Sequence, residues 1–243
     1  MFRHEGPSRS VRKNAVLAAY LAAVAGFVNS GGFMIIGSFT SHVTGNVGRL
    51  GNDIATHDLP AAAFALLLVV SFFVGAFVAS LILASEFRAK ATAYGVALLI
   101  EGATIAAFVA IAAHNRDIGP RARDLQAAML CFAMGMQNSL VTRLSGSIVR
   151  TTHLTGVITD LGIEAAHWLR WLRSAWRPDS QLTRPGPERA TLLTTITVAF
   201  LFGSMAGASL SLNTDGGPML LPAFAVLAAS GYAFATAERS PRS

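Results

Sequence analysis

Six long apolar segments constrain this chain more than any other feature of its sequence. Each is long enough to cross a bilayer, which takes about 20 residues of helix. They are residues 15–36, 60–84, 91–113, 125–144, 190–212 and 218–237. Lipid offers backbone groups no hydrogen bonds, and these segments are too long and too uniform for barrel strands. The sequence therefore predicts an all-α membrane protein with six transmembrane helices.

The composition excludes a soluble domain and a disordered chain. Hydrophobic residues make up 53% and charged residues 13% of the 243, whereas roughly a quarter of an ordinary soluble domain is charged. The single cysteine excludes a disulfide framework and a cysteine-rich metal site. The net charge of +6 does not indicate nucleic acid binding, because 18 of the 19 Lys and Arg residues lie in the tails and in the connections between apolar segments.

The basic residues are distributed unequally between the two sides of the predicted bundle. With the N-terminus inside, the inner segments carry 14 Lys and Arg residues and the outer segments carry 4, namely Arg49, Arg116, Arg121 and Arg123. Positive residues concentrate on the cytoplasmic side, so both termini are expected in the cytoplasm and the chain in the cell inner (plasma) membrane. The basic N-terminus followed by residues 15–25 also has the features of a cleaved secretory signal; against cleavage, an internal repeat begins at Gly26.

Three short elements of the first half recur in the same order in the second half. They are Gly26-Phe27-Val28-Asn29-Ser30 and Gly135-Met136-Gln137-Asn138-Ser139, then Ser41-His42-Val43-Thr44-Gly45 and Thr152-His153-Leu154-Thr155-Gly156, then Phe72-x-x-Gly75 and Phe200-x-x-Gly203. Each half contains three apolar segments, an odd number, so the second half enters the membrane from the opposite side. The sequence therefore predicts two inverted three-helix repeats, an architecture that many secondary transporters share.

This organisation divides the chain into five parts. They are a basic cytoplasmic tail (1–14), a first repeat (15–113), an external loop (114–123), a second repeat (124–237) that includes an interfacial helix (163–177), and a cytoplasmic tail (238–243). The interfacial helix is expected because Trp168 and Trp171 share one helical face while Arg170 and Arg173 lie opposite, which suits the surface of a bilayer with anionic lipid.

The repeated elements resemble the YoaK-like family of bacterial inner-membrane proteins, which is catalogued as a domain of unknown function. The motifs that carry the resemblance are Gly-Phe-Val-Asn-Ser at 26–30, Ser-His-Val-Thr-Gly-Asn-Val-Gly-Arg-Leu-Gly at 41–51, Met-Gly-Met-Gln-Asn-Ser at 134–139 and Thr-His-Leu-Thr-Gly at 152–156. The resemblance covers about residues 12–237. It implies a multi-pass membrane protein and supplies no substrate. Where the family usually has an acidic residue, this chain has Asn29.

The repeated polar segments supply the candidate solute site. A stretch rich in glycine, Ser, Thr and Asn is tolerated at membrane depth only where it lines a cavity or is buried in protein. Residues 41–56 and 152–168 are expected to begin half-helices or re-entrant helices, whose positive ends favour an anionic group in the solute; the alternative is two interfacial loops followed by surface helices. The candidate residues are Asn29, Ser30, His42, Thr44, Asn46, Gln137, Asn138, His153 and Thr155.

Two kinds of residue in this set have a competing structural interpretation. The amides of Asn29 and Asn138 suit either a solute or the backbone of a broken helix. The imidazoles of His42 and His153 suit either proton transfer or simple contact with water at the interface. No metal or nucleotide motif accompanies them, so neither a metal nor a cofactor is expected.

Glu101 is the one acidic residue central to an apolar segment, with ten residues of the segment before it and twelve after. A carboxylate at that depth is costly, so it is expected to face protein or water. Proton coupling is the functional interpretation, and a structural hydrogen bond to another helix is the alternative.

Three classes of function follow from these features. The first is a small-solute transporter or channel with its site at the midplane between the repeats. The second is a non-transporting membrane scaffold or accessory subunit, and the third, an intramembrane enzyme, is disfavoured because no catalytic motif appears. The expected partners are the bilayer and a small solute, and the oligomeric state stays open, a homo-oligomer included.

Overall fold

The computed structural model describes residues 11–85, 90–114, 119–144, 154–174, 183–212, 214 and 216–238. These residues form eight α-helices and a short 3-10 helix at Gly217–Met219, with no strand among them. The helices are α1 (Val11–Ile36), α2 (Val43–Ala55), α3 (Leu59–Ala84), α4 (Lys90–His114), α5 (Pro120–Leu144), α6 (Leu154–Ser174), α7 (Pro187–Ser211) and α8 (Leu220–Glu238). The predicted all-α fold class is confirmed for this part of the chain.

Five helical segments in the described part of the chain are long and apolar enough to cross a membrane. They are Ala18–Ile36, Leu59–Ala84, Lys90–Ala113, Pro187–Ser211 and Gly217–Ala237. Their outward surfaces are apolar, since Phe73, Phe202 and Phe224 on three different helices are each 65% exposed. Rings exposed in this way on long apolar helices are suited to lipid rather than to water.

The segment expected to form the remaining span, residues 125–144, is helical within α5 but is not among these five. Amide side chains lower its hydropathy, namely those of Gln126, Gln137 and Asn138. The packing accounts for this composition, because α5 is covered by α1, α3 and α4. A helix enclosed by other helices presents little surface to lipid and does not need a uniformly apolar sequence.

Glycines bring the helix pairs α1/α7 and α3/α5 into backbone contact. A Cβ placed on Gly26 would lie 2.2 Å from the carbonyl oxygen of Phe200, and one on Gly135 would lie 2.0 Å from the carbonyl oxygen of Phe72. Real Cβ atoms do not approach that closely, so only glycine fits at either position. Small residues at membrane helix interfaces allow this kind of close packing. A third extensive interface joins α4 to α8.

Helices α2 and α6 pack on the outside of this bundle. Helix α2 has no buried residue and lies against α3, while α6 lies against α7. Arg189 at the start of α7 connects α7 to α6 by ion pairs, because its guanidinium pairs with Asp160 at 3.0 Å and with Glu164 at 3.5 Å. The interfacial helix expected over 163–177 forms the C-terminal half of α6 as far as Ser174, and its last three residues lie outside the described residues.

Candidate functional site

Gln137 lies in the interior, where α5 crosses α1. Its side chain is 0% exposed, and its Nε2 donates a hydrogen bond of 3.3 Å to the carbonyl oxygen of Leu21. Its Oε1 has no hydrogen-bond partner among the described residues. Buried amide oxygens nearly always have a hydrogen-bond partner in folded proteins. The Oε1 of Gln137 is therefore an exception, and it can accept a hydrogen bond from water or from a solute.

Glu101 is another of the buried residues whose polar atoms lack a partner among the described residues, as are Thr40, Gln126 and Ser211. It lies near the middle of α4, is 0% exposed, and neither Oε1 nor Oε2 has a hydrogen-bond partner in the described part of the chain. Its own helix surrounds it with apolar side chains, because Leu98 and Ile105 occupy the same buried stripe. A buried carboxyl without a partner is costly in either protonation state, and the described residues supply no structural hydrogen bond to it.

Asn29 fixes the turn that follows α1. Its Oδ1 accepts hydrogen bonds from the backbone N–H of Ser41 at 3.1 Å and from the Ser41 hydroxyl at 3.0 Å. The turn is possible because Gly37 adopts a φ of +70° directly after the helix, a conformation that glycine enters without strain. Ser30, next to Asn29, is half-buried. The geometry therefore gives Asn29 a structural role, which was one of its two interpretations.

The remaining candidates lie nearer the surface or outside the described residues. His42 precedes α2, is exposed, and sets its ring edge-on to Phe39 with 6.4 Å between the ring centroids. Thr44 and Thr155 are exposed, whereas Asn46 and Asn138 are half-buried. His153 lies outside the described residues.

The described residues show no extensive packing between α2 and α6. Helix α2 packs on α3 and α6 packs on α7, and the two do not pack on each other. Because α2 also lacks any buried residue, the structure favours a surface helix there over a re-entrant one. The structure thus brings together α1 and α5 at Gln137, while α2, which His42 precedes and which contains Thr44, packs on α3.

A polar contact that the sequence did not single out joins α3 to α5. The hydroxyl oxygens of Ser80 and Ser139 lie 2.9 Å apart, within hydrogen-bond distance. Ser139 belongs to the repeated Gly-x-x-Asn-Ser element, so the repeat contained a signal for it, but its partner on α3 has none. Among the described residues, no group of three or more His, Cys, Asp or Glu side chains could hold a metal ion.

Fold and interior together define an all-α membrane protein whose helices enclose unsatisfied polar groups. Comparison with protein families identifies it further: residues 17–233 match the model described as "Protein of unknown function (DUF1275)", and the chain belongs to that family. This agrees with the YoaK-like resemblance of its motifs. Neither the curated proteins nor the solved structures contain a match.

Proposed function

We propose that the chain crosses the membrane six times, with both termini in the cytoplasm and α5 as the fourth span. The relative direction of α1 and α7 supports this. A Cβ on Gly203 would meet the Ala23 carbonyl and one on Gly207 would meet the Phe27 carbonyl, so the contact advances four residues along both helices and they run in parallel. Parallel spans need an odd number of crossings between them. Helices α3 and α4 supply two, and α5, with 25 residues, has the length to supply the third.

The inverted repeat is supported by contacts that occur twice. When each residue is replaced by its equivalent in the other half of the chain, one contact becomes the other. In the register of the repeats, Gly26 corresponds to Gly135 and Phe200 to Phe72. The contact of Gly26 with Phe200 therefore recurs as the contact of Gly135 with Phe72, at 2.2 and 2.0 Å. The helix pairs follow the same rule, because exchanging the halves converts α1/α7 into α5/α3 and leaves α4/α8 unchanged.

The function that this arrangement supports best is transport of a small polar solute across the inner membrane, rather than catalysis. The observation that carries the proposal is Gln137 Oε1, an amide oxygen 0% exposed and without a protein partner where the two repeats cross. Inverted-repeat transporters bind solute at such an interface and expose it to each side in turn by rocking one repeat against the other. The contacts between α1 and α7 suit that motion, because glycines at this interface have no side chains that would interlock the two helices.

The proposed roles divide the candidate residues into four groups. Gln137 contacts the solute and Glu101 couples its movement to protons, since an ionisable group inside a membrane bundle is expensive unless it is used. Asn29 holds the turn after α1. The residues nearer the surface belong to the path of the solute rather than to its central site, and they are Ser30, His42, Thr44, Asn46, Asn138 and Thr155. His153, which lies outside the described residues, is assigned to the same path because the repeat relates it to His42.

Solute counterflow in proteoliposomes tests the proposal. The purified protein is reconstituted and screened with radiolabelled amino acids, carboxylates, sugars and polyamines, each against the same solute trapped inside. We expect saturable counterflow of one class and a loss of about tenfold or more in Gln137→Met, which matches glutamine in length but removes both polar atoms. Thr104→Val is the matched control, because the Thr104 hydroxyl bonds only the Ile100 carbonyl of its own helix, at 2.8 Å.

The melting temperature of the variants separates transport from bracing. Gln137→Met removes one hydrogen bond of 3.3 Å together with an unsatisfied oxygen, so its stability should stay close to that of the wild type. A variant that loses both folding and uptake would assign Gln137 a structural role. Counterflow no greater than in empty liposomes for every solute class would contradict the carrier and leave the scaffold as the explanation.

A further inference from the structure

A cavity of about 360 Å³ lies at the end of the bundle where α1 ends and α5 begins. Its wall combines residues far apart in the sequence: the segment 36–38 at the end of α1, Arg49 of α2, Phe64 of α3, and Arg123 with Asp124 of α5. The volume is in the range of small-molecule sites, which begins near 300 Å³. None of these residues takes part in the proposed central site.

The two charges contributed by α5 are unpaired. Neither the Arg123 guanidinium nor the Asp124 carboxylate makes an ion pair or side-chain hydrogen bond with another described residue, and they do not pair with each other. As whole residues, Asp124 is half-buried and Arg123 is exposed. A site that holds an unpaired cation and an unpaired anion in one cavity matches a ligand that carries both charges.

A second guanidinium and an apolar wall complete the cavity. Arg49 lies over the ring of Phe64, with 5.7 Å from its guanidinium carbon to the ring centroid, a cation–π contact that orients it. Its ion pair with Asp53 is long, at 3.4 Å, and half-exposed, so Arg49 retains donors for a ligand. Arginine donors in pairs suit a carboxylate or a phosphate, and the side chains of Ile36 and Phe64 suit the hydrocarbon body of a small molecule.

The repeat does not reproduce Arg49 in the second half of the chain. In the register that relates residues 41–45 to 152–156, Arg49 corresponds to Asp160 and Asp53 to Glu164. At that second position both acidic residues pair with Arg189, at 3.0 and 3.5 Å. The arginine that lines the cavity in the first half is thus replaced by an acidic residue in the second half, where Arg189 neutralises the acidic pair.

We propose that this cavity is a binding site for a small zwitterion, with Arg49 and Arg123 receiving its anionic group and Asp124 receiving its ammonium group. Binding there does not depend on transport, so the site exists whether or not the protein is a carrier.

Thermal denaturation of the detergent-purified chain with defined probes tests the site. The zwitterionic probes are alanine, 4-aminobutyrate and phosphoethanolamine, which differ in their anionic group and in the separation of the charges. Butyrate and butylamine each carry only one of the two charges. At ten times its Kd, a bound probe should raise the Tm by about 3 °C. We expect such a rise with at least one zwitterion and none with the single-charge analogues.

Three variants connect the shift to the cavity. Arg123→Gln and Asp124→Asn should fold with the wild-type Tm and lose the stabilisation. Arg121→Gln, an exposed arginine of the same helix turn that does not line the cavity, should keep it. Equal stabilisation by butyrate would overturn the zwitterion in favour of a simple anion site. The proposal is also overturned if no zwitterion raises the Tm at concentrations up to about 50 mM, which is well above the Kd of a weak, millimolar ligand. It is overturned as well if the Tm shift survives in both Arg123→Gln and Asp124→Asn.

Discussion

The side-chain oxygen of Asn29 accepts two hydrogen bonds from Ser41, one from its backbone N–H at 3.1 Å and one from its hydroxyl at 3.0 Å. This contact closes the turn between α1 and α2. It uses only the acceptor of the amide, so a carboxylate at the same position could make both bonds. The chain therefore keeps the turn with asparagine at a position where the resembling family usually has an acid.

Asn29→Ala should destabilise the protein, and Asn29→Asp should not. The alanine variant leaves the Ser41 N–H and hydroxyl without their acceptor, at a cost of about 1–3 kcal/mol. The aspartate variant retains both acceptor bonds. Thermal denaturation in detergent measures the difference. A wild-type Tm for Asn29→Ala would remove the structural role of this contact.

Gly26→Ala and Gly135→Ala should destabilise the protein by similar amounts. A Cβ at either position would lie 2.2 or 2.0 Å from a backbone oxygen of the neighbouring helix, so α1 must separate from α7, or α5 from α3. Overpacking of this kind costs about 1–3 kcal/mol or more. Denaturation midpoints of the two variants give the measurement.

Gly231→Ala is the matched control for both variants. Gly231 also lies in a long apolar helix, but nothing is within 4 Å of the position of its Cβ. Alanine there should leave the stability unchanged or raise it by about 0.5–1 kcal/mol, because glycine is a poor helix former. If Gly26→Ala and Gly135→Ala behave like this control, the close contacts that support the repeat are absent in solution.

Reporter fusions should find both termini in the cytoplasm and residues 114–123 outside. The physical reason is the unequal distribution of Lys and Arg. The segments on the same side of the membrane as the N-terminus carry 14 of these residues, and the segments on the opposite side carry 4. Fluorescent-protein fusions at each terminus and a phosphatase inserted after Gly119 measure the three locations. An external C-terminus with an internal N-terminus would mean an odd number of crossings and would exclude α5 as a span.

The helices and the depth of the interior polar groups could be predicted from the sequence because they depend on local features. Apolar length located the five membrane-type helices and α5. Counting along an apolar segment put Glu101 near its middle, and Glu101 is fully buried near the middle of α4. The repeat register identified Gly26 and Gly135 as equivalent, and both lie at backbone contacts.

Contacts between distant segments could not be predicted in the same way. The partner of Asn29 depends on a turn that Gly37 makes possible, and a glycine alone does not specify the direction of a turn. Arg49 and Arg123 were counted only as charges of the outer side, and the cavity they share arises from the packing of α2 and α5 around α1 and α3. An amphipathic, glycine-rich segment such as α2 also suits both a surface and a cavity, so its sequence left the two alternatives open.

Glu101→Gln tests whether the buried carboxyl of α4 couples transport to protons. Glutamine keeps the size of glutamate and can form hydrogen bonds, but it cannot titrate. Because both carboxyl oxygens lack a partner in the described part of the chain, the variant loses no hydrogen bond to that part and should fold with a Tm equal to or above that of the wild type. Uptake of the solute identified by counterflow should persist, and its dependence on external pH should disappear.

Glu101→Leu separates this role from bracing. If Glu101 only braced the bundle, the apolar variant would lower the Tm, and Glu101→Gln would keep the pH profile of the wild type. Under proton coupling, leucine removes an unsatisfied buried carboxyl and should leave the Tm unchanged or raise it, while the response of uptake to an imposed pH gradient is lost. Measuring counterflow and gradient-driven uptake in the same proteoliposomes decides between them, because counterflow needs no coupled proton. An unchanged pH profile in Glu101→Gln would remove Glu101 from the coupling mechanism and leave His42 and His153 as its remaining candidates.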